Sequence, residues 1–111
     1  MIYDLKLYKE TYNFILWLYP EIKKFPKSDK FTLGEHIKKA TNLFFKNQVS
    51  ILKNYNRKEN LLNADIHLEE LRLNIRLCKD LKLLSFNKYE VASKKLDLLG
   101  KMLGGLIKKY I

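Results

Sequence analysis

Apolar residues recur at alternating three- and four-residue spacing along almost the whole chain, a pattern typical of amphipathic helices. Four such stretches are separated by short polar segments, and they cover residues 3–23, 32–55, 61–84 (with residue 64 as a second possible start) and 88–110. Helices of about 20 residues with short connections predict neighbours that run antiparallel. We therefore expect an all-α protein, an antiparallel up-down-up-down four-helix bundle that forms one domain over residues 1–111.

The same spacing predicts one buried line on each helix. In chain order the lines are Leu5, Tyr8, Tyr12, Ile15, Tyr19 and Ile22; Leu33, Ile37, Ala40, Phe44, Ile51 and Tyr55, with Asn47 as a polar break; Ala64, Leu68, Leu71, Ile75 and Cys78; Ala92, Leu96, Leu99, Leu103, Leu106 and Tyr110. Pro20 is expected to kink the first helix or end it early. Thr32 with Glu35, and Asn87 with Glu90, have the spacing of N-terminal capping boxes.

Two helices carry more apolar residues than one buried line needs. The first adds Leu7, Phe14, Trp17 and Leu18, and the third adds Ile66, Leu73, Leu77, Leu81 and Leu84. A helix that is apolar all round is usually buried all round. We therefore expect a homo-oligomer whose interface comprises Phe14, Trp17, Leu18, Leu73, Leu77 and Leu81. The alternative is a wide core line with scattered exposed leucines, which are common on protein surfaces.

Composition excludes several classes of protein. Apolar residues make up 47 % and charged residues 31 % of the 111 residues, which favours a folded chain over a disordered one. Four glycines are too few for the turns of a β-sandwich or for a glycine-rich phosphate loop. The single cysteine cannot form an internal disulfide, no signal peptide is recognisable, and no apolar run approaches about 20 residues. We expect a cytoplasmic protein without a membrane segment.

Positive charge is strongly uneven along this basic chain. The net charge is +10, and residues 71–111 hold ten basic residues against three acidic ones. Basic residues on one helix face at spacings of three, four or seven lie side by side, which favours phosphate binding by a nucleic acid. The candidate residues for RNA or DNA binding are Arg72, Arg76, Lys79, Lys94, Lys101 and Lys108. The alternative is an ordinary solvated lysine face.

No catalytic constellation is recognisable, so the protein is not expected to be an enzyme, and no cofactor motif is present. His36 and His67 lack the glutamate three residues earlier that a di-iron bundle requires, so no metal site is expected. Cys78 falls on a predicted core line, which favours packing over nucleophilic chemistry. Glycine inside a helix costs about 1 kcal/mol relative to alanine. Gly100 and Gly104–Gly105 therefore indicate close approach of a neighbouring helix or subunit.

Three parts of the chain resemble a known family. Residues 18–20 and 25–34 (LYP and FPKSDKFTLG) resemble the first interhelical segment of a four-helix-bundle superfamily. Residues 68–81, with their paired arginines, resemble the third helix of one of its branches, the accessory variability determinant (Avd) proteins of diversity-generating retroelements. The glycine-bearing segment 98–106 resembles the final helix. The superfamily also contains proteins encoded by intervening sequences within bacterial large-subunit rRNA genes.

The resemblance implies properties that go beyond periodicity. Avd proteins are antiparallel four-helix bundles that assemble as a barrel-shaped homopentamer with a basic surface. They bind a partner reverse transcriptase and nucleic acid, and they are required for mutagenic retrohoming. The resemblance places Arg72, Arg76 and Lys79 at the basic positions of the third helix. The alternative that it leaves open is an interaction protein of the rRNA-intervening-sequence type, without a nucleic-acid role.

Overall fold

Four long helices and one single-turn helix make up the part of the chain that the computed structural model describes, which is residues 2–111 with side chains from Leu5 onward. The helices are α1 (Ile2–Lys23), α2 (Lys27–Lys30), α3 (Leu33–Leu52), α4 (Arg57–Asp80) and α5 (Phe86–Tyr110). Residues 2–111 contain no β-strand. The all-α four-helix bundle that the sequence predicts is confirmed.

The contacts between the long helices show which of them are neighbours and which lie diagonally opposite each other. α1 packs against α3 and α5, and α4 packs against the same two helices. Only four residues separate α3 from α4 and five separate α4 from α5, so these neighbours run antiparallel. α1 and α4 therefore lie at opposite corners of the bundle, and α3 and α5 occupy the other two corners.

The core lines predicted on three of the four helices are almost entirely correct. The residues buried there are Ile37, Ala40, Phe44 and Ile51 on α3; Ala64, Leu68, Leu71, Ile75 and Cys78 on α4; Ala92, Leu96, Leu99, Leu103 and Leu106 on α5. Tyr110 is half-buried, whereas Tyr55 lies beyond the end of α3 and is exposed. On these helices the apolar residues concentrate on one face, so the spacing alone identifies the buried line.

The core line predicted for the first helix is mostly wrong, because of its six residues only Ile22 is buried. Phe14 and Leu18, which the sequence placed at an oligomer interface, are each 1 % exposed and pack in the core. Leu5 and Tyr12, predicted to be core residues, are about half exposed. α1 is apolar on two faces. The face that is buried also contains the polar residue Thr11, which interrupts the apolar spacing along that face.

Thr11 is compatible with burial because its hydroxyl group is hydrogen-bonded on both sides. Its Oγ1 donates to the Leu7 carbonyl (2.8 Å) and accepts from Nε2 of Gln48 on α3 (2.9 Å). A buried polar group that keeps its hydrogen bonds costs little, whereas an unpaired one costs about 1–3 kcal/mol. This contact joins the buried face of α1 to α3.

Three expectations about helix ends also need correction. The early end expected at Pro20 is wrong, because α1 continues through this exposed residue as far as Lys23. The kink stays a prediction. Thr32 stands at the N-cap of α3 but donates its hydroxyl to the Ser28 carbonyl (2.8 Å), so it does not cap the helix. The cap of α5 is Ser85 rather than Asn87. The hydroxyl oxygen of Ser85 accepts a hydrogen bond from the backbone N–H of Lys88.

The polar segment between the second and third helices is shorter than expected. The sequence predicts that the third helix begins at residue 61 or 64, but α4 already begins at Arg57. Asn54 and Asn56 adopt left-handed backbone conformations, with φ of 60° and 44°. Asparagine is among the few residues that occupy this region readily, so the chain reverses within four residues.

A buried carboxylate ties α1 to the start of α5. Oε1 of Glu21 accepts from Nζ of Lys88 (2.8 Å) and from Nζ of Lys24 (3.3 Å), and its side chain is only 10 % exposed. The hydrogen bond from Lys88 is the main cause that lowers the pKa of Glu21 below its ordinary value of 4.5. A lowered carboxyl pKa means that the ionised form stabilises the folded chain.

Replacement of Glu21 by glutamine is expected to lower the free energy of unfolding by about 1 kcal/mol at pH 7, because the charge-assisted bond from Lys88 is lost. The difference from the wild type should persist above pH 4.5 and shrink as the pH falls further, because Glu21 then becomes protonated in the wild type as well. Urea unfolding at a series of pH values measures this. Glu35→Gln, which alters an exposed pair with Lys38 at 3.9 Å, should show a much smaller effect. Equal effects of the two variants would contradict the role of Glu21.

Candidate nucleic-acid interface

Lys94, Lys101 and Lys108 form a row on the outer side of α5. They follow one another at seven-residue spacing, about two helical turns, on the line opposite the buried leucines of that helix. All three are exposed, and none has a hydrogen bond or ion pair within residues 5–111. We call them the α5 row. An exposed row of unpaired ammonium groups is suited to phosphate contact.

The basic residues predicted on the third helix behave differently, because α5 engages most of them. Nη1 of Arg72 donates to Oδ1 of Asp97 (2.8 Å), and its Nη2 donates to the Leu96 carbonyl (3.1 Å). Lys79 lies 4.8 Å from the ring centroid of Tyr89. Arg76, by contrast, is exposed. Of the three predicted positions, Arg76 offers its charge to a ligand most directly.

These contacts belong to a seam of cationic side chains between α4 and α5. Arg57 lies 4.2 Å from the centre of the Tyr110 ring, at the start of α4 and the end of α5. Arg72 and Lys79 make the next two contacts along the same edge. Cation–π contacts and partly exposed ion pairs each contribute up to about 1 kcal/mol. The seam therefore holds two helices together, and it withdraws positive charge from the surface.

Gly100 makes room for the central contact of the seam. A methyl group on Gly100 would overlap Nη2 of Arg72, so the guanidinium group lies on the backbone of α5 where any other side chain would displace it. The sequence predicted a close approach here, and the approaching group is this side chain. Gly104 and Gly105 differ, because a methyl group on either would meet nothing within 4 Å. No neighbour within the described chain accounts for those two glycines.

The groove beside Arg72 carries mixed charge. Asp65 and Glu69 of α4 line it together with Asp97 of α5, and they face Arg72 and Lys101. Three carboxylates near two cations lower the local attraction for a polyanion. Lys101 borders this groove, so the better phosphate-binding surface is the outer side of α5, where Lys94 and Lys108 also lie, rather than the groove itself.

A second lysine row, on α3, was missed by the sequence analysis. Lys39 and Lys46 on α3 and Lys53 at its C-cap repeat at the same seven-residue spacing. They are exposed on the line opposite the buried residues of that helix. We call them the α3 row. The signal was present in the sequence, but the net charge of the first 70 residues is only +3, and that average concealed it.

Of the residues predicted at the oligomer interface, only those on or near α4 are surface residues. Leu73 is 60 % exposed, and Leu77 and Leu81 are about half exposed. With Leu62 and Ile66 they form an outward apolar line that we call the α4 apolar face. Phe14 and Leu18 lie in the core, so their assignment is wrong, and Trp17 is half-buried against that core. The exposed apolar residues of α1 are instead Leu5, Tyr12 and Leu16, the α1 apolar face.

The reactive side chains are placed for packing rather than for chemistry. Cys78 is fully buried, and burial raises the pKa of its thiol to about 12, so the nucleophilic thiolate is not formed at neutral pH. Nδ1 of His67 lies 3.2 Å from a carboxylate oxygen of Glu70 on the same helix. Over the part of the chain that the structure describes, no three His, Cys, Asp or Glu residues could together hold a metal ion. In the same residues, no helix is long and apolar enough to span a membrane.

Two alanine substitutions on α5 test the contact between the guanidinium group of Arg72 and the backbone at Gly100. Gly104→Ala should raise the free energy of unfolding by about 0.5–1 kcal/mol, because alanine is the better helix former and the site is open. Gly100→Ala should gain less or lose stability, because the guanidinium group is displaced from Leu96 and Asp97. Urea unfolding of both variants, each with and without Arg72→Ala, measures the coupling between the two positions. Additive effects of Gly100→Ala and Arg72→Ala on the free energy of unfolding would contradict the contact between these two residues.

The chain was compared with protein families, curated proteins and solved structures. No curated protein and no solved structure matches it significantly. The sequence model of one family, described as bAvd-like, matches residues 5–110. The match includes all four long helices, the two lysine rows and the α4–α5 seam. The chain belongs to the bAvd-like family.

Proposed function

We infer that this protein is a non-enzymatic accessory factor of a diversity-generating retroelement. It binds the template RNA or the cDNA and a partner reverse transcriptase, and it supports mutagenic retrohoming in the cytoplasm. Family membership supports the retroelement role and the reverse-transcriptase partner. The nucleic-acid role has independent support from the charge of the surface.

The α5 row is the observation that carries nucleic-acid binding. Consecutive lysines of the row are about 10 Å apart along the helix axis, so the three ammonium groups can contact phosphates spread over several nucleotides. Such contacts position a polyanion without reading its bases. Arg76 adds a fourth exposed charge on the neighbouring helix. Arg72 and Lys79 can bind a phosphate only after they break their present contacts, which are with Asp97 for Arg72 and with Asp80 and Tyr89 for Lys79.

The apolar faces of α1 and α4 support assembly into a homo-oligomer, which the Avd resemblance implies is a pentamer. The two faces lie at opposite corners of the bundle, so the α4 face of one copy can dock on the α1 face of the next. A head-to-tail contact of this kind closes into a ring when the rotation between copies allows it. Charge supports the pairing, since Glu59 and Glu70 are exposed near the α4 face and Lys9 is exposed near the α1 face.

Neutralising the α5 row should weaken RNA binding. The variant Lys94→Gln, Lys101→Gln, Lys108→Gln is expected to bind a structured RNA at least ten-fold more weakly at moderate salt. The slope of log K against log salt should fall by about 2–3, because each lost phosphate contact releases about 0.9 fewer counterions. Titration of labelled RNA by fluorescence anisotropy across a salt series measures both quantities.

The matched control removes the same charge elsewhere. Lys27, Lys58 and Lys82 are exposed on α2, on α4 and in the α4–α5 connection. Their triple glutamine variant should keep nearly all of the affinity and the slope. If the two variants lose affinity for RNA equally, the loss reflects the lower net charge of the protein and not the position of the lysines. A wild-type protein that ignores RNA would remove the nucleic-acid role and favour an interaction protein of the rRNA-intervening-sequence type.

Charging the α4 apolar face should break the assembly. Wild-type protein is expected to sediment at a multiple of its 13.3 kDa protomer mass, and Ile66→Glu with Leu73→Glu should shift it toward the monomer. Both side chains are more than half exposed, so the protomer itself should remain folded, which circular dichroism can establish. Phe86→Glu with Leu98→Glu, at exposed apolar positions of α5, should leave the mass unchanged. A monomeric wild type at micromolar concentration would contradict assembly.

A further inference from the structure

We propose that the α3 row (Lys39, Lys46 and Lys53) is a second phosphate-binding surface, so that one protomer holds two nucleic-acid segments at once. The inference rests on the proposed nucleic-acid role, because it assigns the same ligand chemistry to a second site. It differs from that role in the residues, in the helix and in the stoichiometry that it requires.

The geometry of the α3 row equals that of the α5 row. Three exposed lysines again follow one outer line at two-turn spacing, opposite the buried line of their helix. None of the three has a hydrogen bond or an ion pair within the side chains that the structure describes. Three unpaired ammonium groups on one line repel one another, and a bound polyanion relieves that repulsion.

The α3 row is less neutralised by its own helix than the α5 row. Along α5, Glu90 precedes Lys94 by one turn, and Asp97 lies between Lys94 and Lys101. Along α3, Glu35 likewise precedes Lys39 by one turn, and its carboxylate lies 3.9 Å from Lys38. From Lys39 to Lys53 the helix carries no acidic residue. Glu70 of α4 lines a cavity together with Lys39. The two rows therefore have a similar acidic neighbourhood, and the α3 row should attract phosphates about as strongly as the α5 row.

Their positions make the two rows separate sites. α3 and α5 occupy opposite corners of the bundle, and each row faces away from the core. A nucleic-acid duplex that lies along one row therefore leaves the other row open. The apolar faces lie on the other diagonal, so assembly through α1 and α4 keeps both rows accessible. The arrangement is suited to holding two strands, or two parts of one folded RNA, against the same protein.

The test is a stoichiometric titration with a short RNA hairpin at low salt. It compares the wild type with three triple glutamine variants: the α3 row, the α5 row, and the control at Lys27, Lys58 and Lys82. Wild type should bind twice as many hairpins per protomer as either row variant, and the control should equal the wild type. Removing both rows should abolish binding. The hairpin is short enough to contact one row only, so the salt slope at the remaining site of each row variant should fall by less than 1. The ten-fold loss expected of the α5 variant applies to a larger structured RNA that contacts both rows at once.

The outcomes separate this inference from the proposed function. If the α3 variant keeps the stoichiometry and affinity of the wild type while the α5 variant loses binding, the second site is refuted and the proposed function stands. If the α3 variant loses half the sites and the α5 variant none, the second site stands and the α5 assignment fails. If the control loses as much as the α3 variant, the effect is net charge and the second site is refuted. Absence of hairpin binding by the wild type refutes both.

Discussion

Each long helix of this bundle can bury only one line of side chains, and the rest of the molecule follows from that constraint. The core takes Phe14 and Leu18 from α1, together with the leucine lines of α4 and α5. Every other line is left to the surface, whatever its composition. The outward lines then divide by helix: apolar on α1 and α4, and lysine on α3 and α5. Because like surfaces occupy opposite corners, packing the core also separates the surface suited to assembly from the surface suited to phosphates.

The α4–α5 seam shows how the same residue type serves structure at one position and remains free at another. Arg72 and Lys79 share an edge of α4 with Arg76, yet α5 supplies Asp97 and Tyr89 to the first two. Gly100 is part of this arrangement, since the guanidinium group of Arg72 needs the bare backbone. A cation that already has a carboxylate partner must give up that contact before it can bind a phosphate, so its net gain on binding is small. Unpaired charge, rather than total charge, therefore identifies the candidate interface.

The sequence predicts the fold and most of the core because three helices concentrate their apolar residues on one face. It fails on α1, where two faces are apolar and the buried one includes Thr11, whose hydrogen-bond partner Gln48 is 37 residues away. The partner of Arg72 is likewise 25 residues distant and becomes visible only once α4 and α5 are placed side by side. The lysine row of α5 was predictable because periodicity is local. The α3 row has the same local period, but the net charge of the first 70 residues is only +3, so the regional charge does not indicate it.

The division of faces also bears on how an assembly of this protein would present its charge. In a ring built from α4-to-α1 contacts, every copy repeats the same orientation, so each lysine row is repeated around the ring. Rows on opposite corners cannot both point toward the same side of the contact surface. One set then follows one side of the ring and the other set the opposite side. Assembly would thereby turn two weak three-lysine surfaces into two extended basic tracks, whose affinity for a polyanion grows with the number of copies that engage it.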